Sequence, residues 1–398
     1  MGVSLTYSYI TIRFIKDYCY LVNMSKKADL GKGLKNLEKE IVKPVKEEKK
    51  SVKKETKIEK KDSMGTNISL TSHPSLSKSG GWEEKLGLIK QNTVEIVKEE
   101  ELVSLLQTKK KPVVYCGYEP NGPMHLGHFV TITKLMDFEK AGFHVKVLLA
   151  DVHAFLNRKG NEEDIKREVE NWRKTIKAIG LNAEVVLGSS FQFEKEYELD
   201  VMRMAQDSTI NRGLRSMQEV ARDIENATVS QLWYPLMQIA DIKYLGADVA
   251  QGGLEQRKIH MMGREMSKIL KHNFVCVHTP LITSLKGPGQ KMSKSLPGSG
   301  ISVTDSYDEI KKTINGAYCL EGDIADNPIL QITKLIVFPR VSSLDIKRPV
   351  KFGGDVSYSN YERLEADFAS KKLHPMDLKT AVTEALEKII KPIRDNWK

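Results

Sequence analysis

Two pairs of side chains in this 398-residue chain have types and spacings that suit polyphosphate chemistry. His125 and His128 lie three apart in "GYEPNGPMHLGH" (117–128). Three apart on a helix, they share a face. Imidazole N–H groups beside a helix N-terminus can hydrogen-bond a phosphate whose charge grows in a transition state. Gly127 between them leaves room for a nucleotide against the backbone. Lys291 and Lys294 lie in "LKGPGQKMSKSLPGSG" (285–300), among Gly287, Pro288, Gly289, Pro297, Gly298 and Gly300. A lysine head is a compact charge on a long stem, and glycines let such a loop close after a ligand arrives.

Each pair has a plainer reading. The lysines could be a solvated basic turn. The histidines could cap a helix. They could also begin a metal site, but zinc needs a third ligand and none stands at short range. The turn lacks GxGxxG, so an ordinary dinucleotide fold is not indicated.

The elements that must position these groups are legible around them. "PVVYCGYEP" (112–120) is a short β-rich run broken by Gly117 and Pro120. "MHLGHFVTITKLMDFEKAG" (124–142) has helical spacing with Gly142 as its stop, and places both histidines in the first helical turn. "HVKVLLAD" (144–151) reads as a buried strand. Strand, helix and strand make a βαβ unit, hence a parallel sheet with helices on both faces. Ligands bind beyond the carboxyl ends of such strands, at helix N-termini. Two further strands are expected, within 183–189 and 274–282, with helical patterns between them. Past residue 305 the pattern is mostly helical, ending in Leu378, Val382, Leu386, Ile389 and Ile393 at helical spacing. The fold class expected is α/β: a Rossmann-like catalytic domain over 81–304 and a helical domain over 305–398.

Residues 1–80 differ in kind. Over 25–62 there are 14 lysines against eight acidic residues, six of the chain's ten net positive charges. With few apolar residues and no aromatic, this segment cannot offset its ordering entropy and is expected to be disordered. It is either a solubilising linker or a weak tether for a phosphate backbone. Arg13, Lys16 and Asp17 interrupt the apolar start, which argues against a membrane span, and Met24 is a plausible start. Cys19, Cys116, Cys276 and Cys319 are scattered without a CxxC pair. That fits a reducing, cytoplasmic setting better than a disulfide framework.

The histidine signature after the first strand, with the KMSKS loop beyond a later strand, resembles the two signatures of class I aminoacyl-tRNA synthetases. The segment "YPLMQIADIKYLGADVAQGGLEQRKIHM" (234–261) is similar to the tyrosine pocket of the archaeal and eukaryotic tyrosyl-tRNA synthetase family. Read physically, Tyr234, Gln238 and Asp241 fall on one face of a helix beginning near Tyr234. An ordinary amphipathic helix with a polar face would show the same spacing.

The resemblance, which runs from about residue 82 to the C-terminus, implies a reaction and roles for residues. The amino-acid carboxylate attacks the α-phosphate of ATP, with Mg²⁺, and the aminoacyl group passes to tRNA. His125, His128, Lys291 and Lys294 would be catalytic. Tyr115 and Asp241 would bind the phenol hydroxyl, and Tyr234, Gln238 and Gln256 the amino end. ATP contacts would include Cys116, Gly117, Gly127, Gly252, Gly253, Glu255, Met292 and Ser293 with the catalytic four. Arg257 and Lys258 would face the acceptor stem, and Phe352, His374 and Asp377 the anticodon. Asp377 could instead cap its helix. Asn121 stands where relatives often carry Ser or Thr. The implied partners are tRNA(Tyr), tyrosine, ATP and a second copy of the chain, with no resident metal and no membrane. The rival readings are the tryptophan enzyme and a non-catalytic paralogue that binds RNA or protein.

Overall fold

A six-stranded sheet, whose strands run across it in the order 95–97, 275–279, 249–253, 113–118, 144–149 and 184–187, organises the chain. The computed structural model describes residues 81–220, 224–289, 292 and 298–397. The expectations for residues 1–80 and for Lys291, Ser293 and Lys294 lie outside the described residues.

In chain order the first half holds α1 (Trp82–Lys90), β1 (Glu95–Val97), α2 (Glu99–Thr108), β2 (Val113–Tyr118), α3 (Leu126–Lys140) and β3 (His144–Leu149). It continues with α4 (Asp151–Leu156), α5 (Glu162–Ile179), β4 (Glu184–Leu187), α6 (Lys195–Gln206) and α7 (Ile210–Met217). Then come α8 (Val229–Tyr244), β5 (Val249–Gly253), α9 (Arg257–Glu265), α10 (Ser267–Leu270) and β6 (Val275–Thr279). The C-terminal part holds α11 (Tyr307–Asn315), α12 (Pro328–Ile332), β7 (Leu344–Ile346), β8 (Val356–Tyr358), α13 (Tyr361–Ala369) and α14 (Pro375–Asn396).

The βαβ unit is β2-α3-β3, paired in parallel from Val113 opposite His144 to Tyr118 opposite Leu149. Helix α3 is buried on most of its faces, including Phe129, Ile132, Leu135 and Phe138. It stops at Ala141, where Gly142 takes a positive φ of 89° that a side chain would resist.

Four elements differ from those expected. Strand β5, "VAQGG", was not expected, because two glycines and a glutamine hide a strand that is buried throughout. Strand β1 is an edge of only three residues, antiparallel to β6. The helix expected near Tyr234 starts at Val229, with Thr228 and Gln231 forming a capping box. The mostly helical C-terminal part also carries a two-stranded antiparallel ribbon, β7–β8.

One apolar core joins the sheet to the C-terminal helices, from Val147 and Phe129 to Leu330, Ile336 and Leu386. A Leu386→Ala cavity there would cost about 2–5 kcal/mol. Arg340 crosses the same junction. Its guanidinium donates to Ile336 O at 3.0 Å and to Thr133 Oγ1 of α3 at 2.7 Å, and lies 5.3 Å from the Phe129 ring centre. Lys134 and Asp137, both buried on α3, pair at 3.0 Å, and Lys134 also donates to Ile89 O at 2.9 Å near the end of α1.

Candidate active site

A cavity of about 730 Å³ opens at the carboxyl ends of β2 and β5 and the start of α3. It is lined by most of the site residues expected from the sequence, among them Tyr115, His125, His128, Tyr234, Asp241 and Gly252. Residues far apart in the chain meet there because parallel strands end on one side of the sheet.

The paired histidines cap the helix. His125 is the N-cap of α3 rather than part of its first turn, and His128 is the third residue inside. His125 Nδ1 accepts the Gly127 N–H at 3.1 Å, and His128 Nδ1 accepts the His125 N–H at 3.1 Å. With both Nδ1 atoms accepting, a neutral ring carries its proton on Nε2. Burial, followed by the neighbouring His125 and Lys159, pushes the His128 pKa well below the usual imidazole range. The two rings lie 3.8 Å apart, centre to centre, and the Trp172 ring stands edge-on to His128 at 5.0 Å. A Cβ on Gly127 would come within 2.9 Å of the His125 ring, so the cap itself demands a glycine there.

Asp241, from α8, is fully buried at the other end of the cavity. Its Oδ1 accepts from Gln192 Nε2 at 2.7 Å and from the Tyr197 hydroxyl at 2.8 Å. Its Oδ2 has no partner. Burial raises this carboxyl to about 7, against the opposing pull of those two hydrogen bonds. His153 Nε2, also unpartnered, lies 3.7 Å from Oδ2. Gln192 Nε2 is 3.4 Å from His153 Nδ1 and can only donate to it, so the His153 proton sits on Nε2. An acceptor and a donor therefore stand together, buried and unfilled. One hydroxyl could donate to Oδ2 and accept from Nε2–H. Burial and the Asp241 charge hold the Tyr115 hydroxyl, on the same cavity, well above the usual phenol range.

Glu119 is a hub that sequence reasoning missed. Its Oε1 accepts from the Tyr234 hydroxyl at 2.7 Å and from Asn157 Nδ2 at 3.0 Å, and its Oε2 pairs with Lys159 at 2.8 Å. Asn121 also donates to Oε2, at 3.3 Å. Beside it Gln238 Nε2 donates to Gln256 Oε1 at 3.0 Å. The cavity thus has donor imidazoles at one place, a buried carboxylate at another, and a cluster of amides with a carboxylate between.

Known proteins share this sequence and fold. The family described as tRNA synthetases class I (W and Y) matches residues 107–391. The tyrosine–tRNA ligase of Archaeoglobus fulgidus is 49% identical over 315 residues, covering 78% of this chain and 97% of that protein. That of Methanocaldococcus jannaschii is 48% identical over 312 residues, covering 78% and 99%. The crystal structure of the tyrosyl-tRNA synthetase from A. fulgidus, complexed with L-tyrosine, superposes with a TM-score of 0.77 at 48% identity, over 80% of this chain and all of that one. The chain belongs to the class I tyrosyl-tRNA synthetases. As such it is a tyrosine–tRNA ligase, forming tyrosyl-adenylate and charging tRNA(Tyr).

The remaining predicted residues of the synthetase lie elsewhere. Met292, inside the KMSKS segment, is buried, and its N–H donates to Ile282 O at 2.8 Å. Arg257 makes a two-pronged ion pair with Glu95, and Lys258 pairs with Glu219 at 2.9 Å. Phe352 is 60% exposed, in a single turn (Val350–Phe352). His374 caps α14 by accepting the Met376 N–H at 3.2 Å, so the cap does not come from Asp377. The Asp377 side chain takes no hydrogen bond among the described residues. Among those residues, no three His, Cys, Asp or Glu side chains cluster to hold a metal ion, and no helix is long and apolar enough to cross a membrane.

Proposed function

We propose that the tyrosyl-adenylate forms in this cavity with the substrate phenol at Asp241 and the ATP phosphates at His125 and His128. The observation that carries the reading is the unpartnered Asp241 Oδ2 beside the His153 Nε2–H, a buried pair matched to a hydroxyl. Tyr115 adds a second phenol group there. Tyr234, Gln238, Gln256 and the Glu119 carboxylate face the substrate's ammonium. The nucleoside lies over Cys116, Gly117, Gly252, Gly253 and Glu255. Magnesium comes to the site on the ATP phosphates.

The chemistry is positioning and charge stabilisation. The tyrosine carboxylate attacks the α-phosphorus in line, and pyrophosphate leaves. The His125 and His128 Nε2–H groups donate to oxygens on which negative charge builds. Lys291 and Lys294, with Met292 and Ser293, close on the leaving pyrophosphate. A hydroxyl-reading pocket rejects phenylalanine because its buried polar groups are then left unpaired, an argument for which tyrosyl-tRNA synthetases are the established example.

Residues 305–398 form the anticodon-binding part in this reading, with exposed Phe352 and His374 and half-buried Asp377 meeting the anticodon. Arg257 and Lys258 reach the acceptor stem by exchanging their present partners. The enzyme works as a cytoplasmic homodimer. Exposed Phe193, Met202 and Ile210, on or next to α6 and α7, offer apolar surface for the second copy. ATP–pyrophosphate exchange with each standard amino acid tests the reading. Exchange that depends on tyrosine alone is expected; exchange driven by tryptophan, or none, would overturn it.

A further inference from the structure

Four side chains form a hydrogen-bonded line from the sheet edge to the cavity wall. Arg257 donates to both oxygens of Glu95 at 2.8 Å. Glu95 Oε2 lies 3.0 Å from His278 Nδ1, and His278 Nε2 lies 3.0 Å from His260 Nδ1. Strand register sets this spacing. Glu95 stands opposite His278 in the β1–β6 pair, and His278 is level with Gly252 in the β6–β5 pair. His260 comes from α9 and lines the cavity, its Cε1 3.4 Å from where a Cβ on Gly252 would stand.

The proton positions follow from the outer end of the line. A carboxylate only accepts, so His278 donates from Nδ1. Its Nε2 then holds a lone pair, and His260 must donate from its own Nδ1. That leaves His260 Nε2 as a lone pair at the cavity, without a hydrogen bond among the described residues. An imidazolium at His278 would reverse the line. Burial disfavours it: the His278 pKa is lowered, and burial with the adjacent His278 brings His260 down to about 3. Arg257 hydrogen bonding keeps Glu95 ionised, below its ordinary range.

His260 therefore has the opposite polarity to His125 and His128, which present N–H groups. A lone pair selects a donor and repels phosphate. Of the donors that tyrosine and ATP bring, the ammonium has the Glu119 carboxylate and the Gln238–Gln256 amides to face. Gly252 and His260 line the same cavity wall, packed closely enough that a Cβ on Gly252 would meet Gln256 Cγ at 3.0 Å and His260 Cε1 at 3.4 Å, so a sugar ring would meet bare backbone and imidazole there together. Resting on the reading of this cavity as the ATP and tyrosine site, we propose that His260 Nε2 accepts a hydrogen bond from a ribose hydroxyl of ATP. In the same proposal Glu95, acting through His278, is a positioning residue that holds His260 in the accepting tautomer.

The test is ATP–pyrophosphate exchange by the full chain with ATP, 2′-deoxy-ATP and 3′-deoxy-ATP. One deoxy nucleotide should lower kcat/KM about three- to tenfold in the unaltered enzyme, the range of a neutral hydrogen bond. His260→Phe, which keeps a ring but no lone pair, should use ATP that much less well and treat the nucleotides alike. Glu95→Gln, able to donate or accept toward His278, should show intermediate discrimination. Imidazole ¹⁵N spectra should place the His260 proton on Nδ1. Undiminished discrimination in His260→Phe, no discrimination in the unaltered enzyme, or a proton on Nε2 would overturn the proposal. Tyrosine-dependent exchange with ATP is the separate control: its failure would overturn the function reading instead.

Discussion

The Tyr197 hydroxyl donates to Asp241 Oδ1 at 2.8 Å, while Oδ2 of the same carboxylate is left without a partner. One oxygen is committed to the fold and the other is available to a ligand. Hydrogen bonds to a charged group are worth roughly 1.5–3 kcal/mol. Replacing Asp241 with Ala should therefore lower kcat/KM for tyrosine about ten- to a hundredfold and leave phenylalanine nearly unchanged. The ratio of the two substrates in pyrophosphate exchange is the measurement. Equal losses would make Asp241 a structural residue of α8.

Tyrosine affinity should depend on pH through the same group. Burial raises Asp241 to about 7, and the phenol needs the ionised carboxylate as its acceptor. The dissociation constant for tyrosine, measured by equilibrium binding, should rise as pH falls below about 7. The slope should be absent in Asp241→Asn.

Stability should run the other way. A carboxyl whose folded pKa lies above its ordinary 3.8 binds a proton more readily in the folded chain. Its contribution is most favourable below about pH 4 and is lost as pH rises toward 7. Asp241→Asn, which cannot ionise, should be more stable than the unaltered protein at pH 8, by on the order of 4 kcal/mol. The gap should shrink at pH 5. Denaturant midpoints at the two pH values read this directly, and an unchanged gap would mean Asp241 does not titrate in this range.

In the C-terminal part, His374 already caps α14, so Asp377 is not needed to hold the helix. Asp377→Ala should leave the melting temperature and pyrophosphate exchange unchanged while slowing tRNA charging about tenfold or more. The defect should diminish on tRNA whose first anticodon base is already altered. A falling melting temperature would restore the structural explanation.

What the sequence revealed depended on how local each signal was. The β2-α3-β3 unit was readable because its apolar periods and its Gly142 stop lie within about forty residues. The tyrosine-pocket residues on α8 were readable from their helical spacing. Gln192 and Tyr197, which hold Asp241, precede it by 49 and 44 residues, and no periodicity connects them. Glu119 looked like a turn residue until Tyr234, Asn157 and Lys159 converged on it. The start of α8 was misplaced because Pro235 suits a first helical turn. Here it lies inside the helix, where it forfeits a backbone hydrogen bond.

Arg340 ties α3 to the C-terminal helices within a shared core. The helix whose N-terminus carries the paired imidazoles is thus bolted, at Thr133, to the part of the chain that carries Phe352 and Asp377. In the proposed assignment the adenylate cavity and the anticodon surface are two jaws mounted on one apolar core, and the gap between them is the gauge against which a tRNA's 3′ end and anticodon are measured.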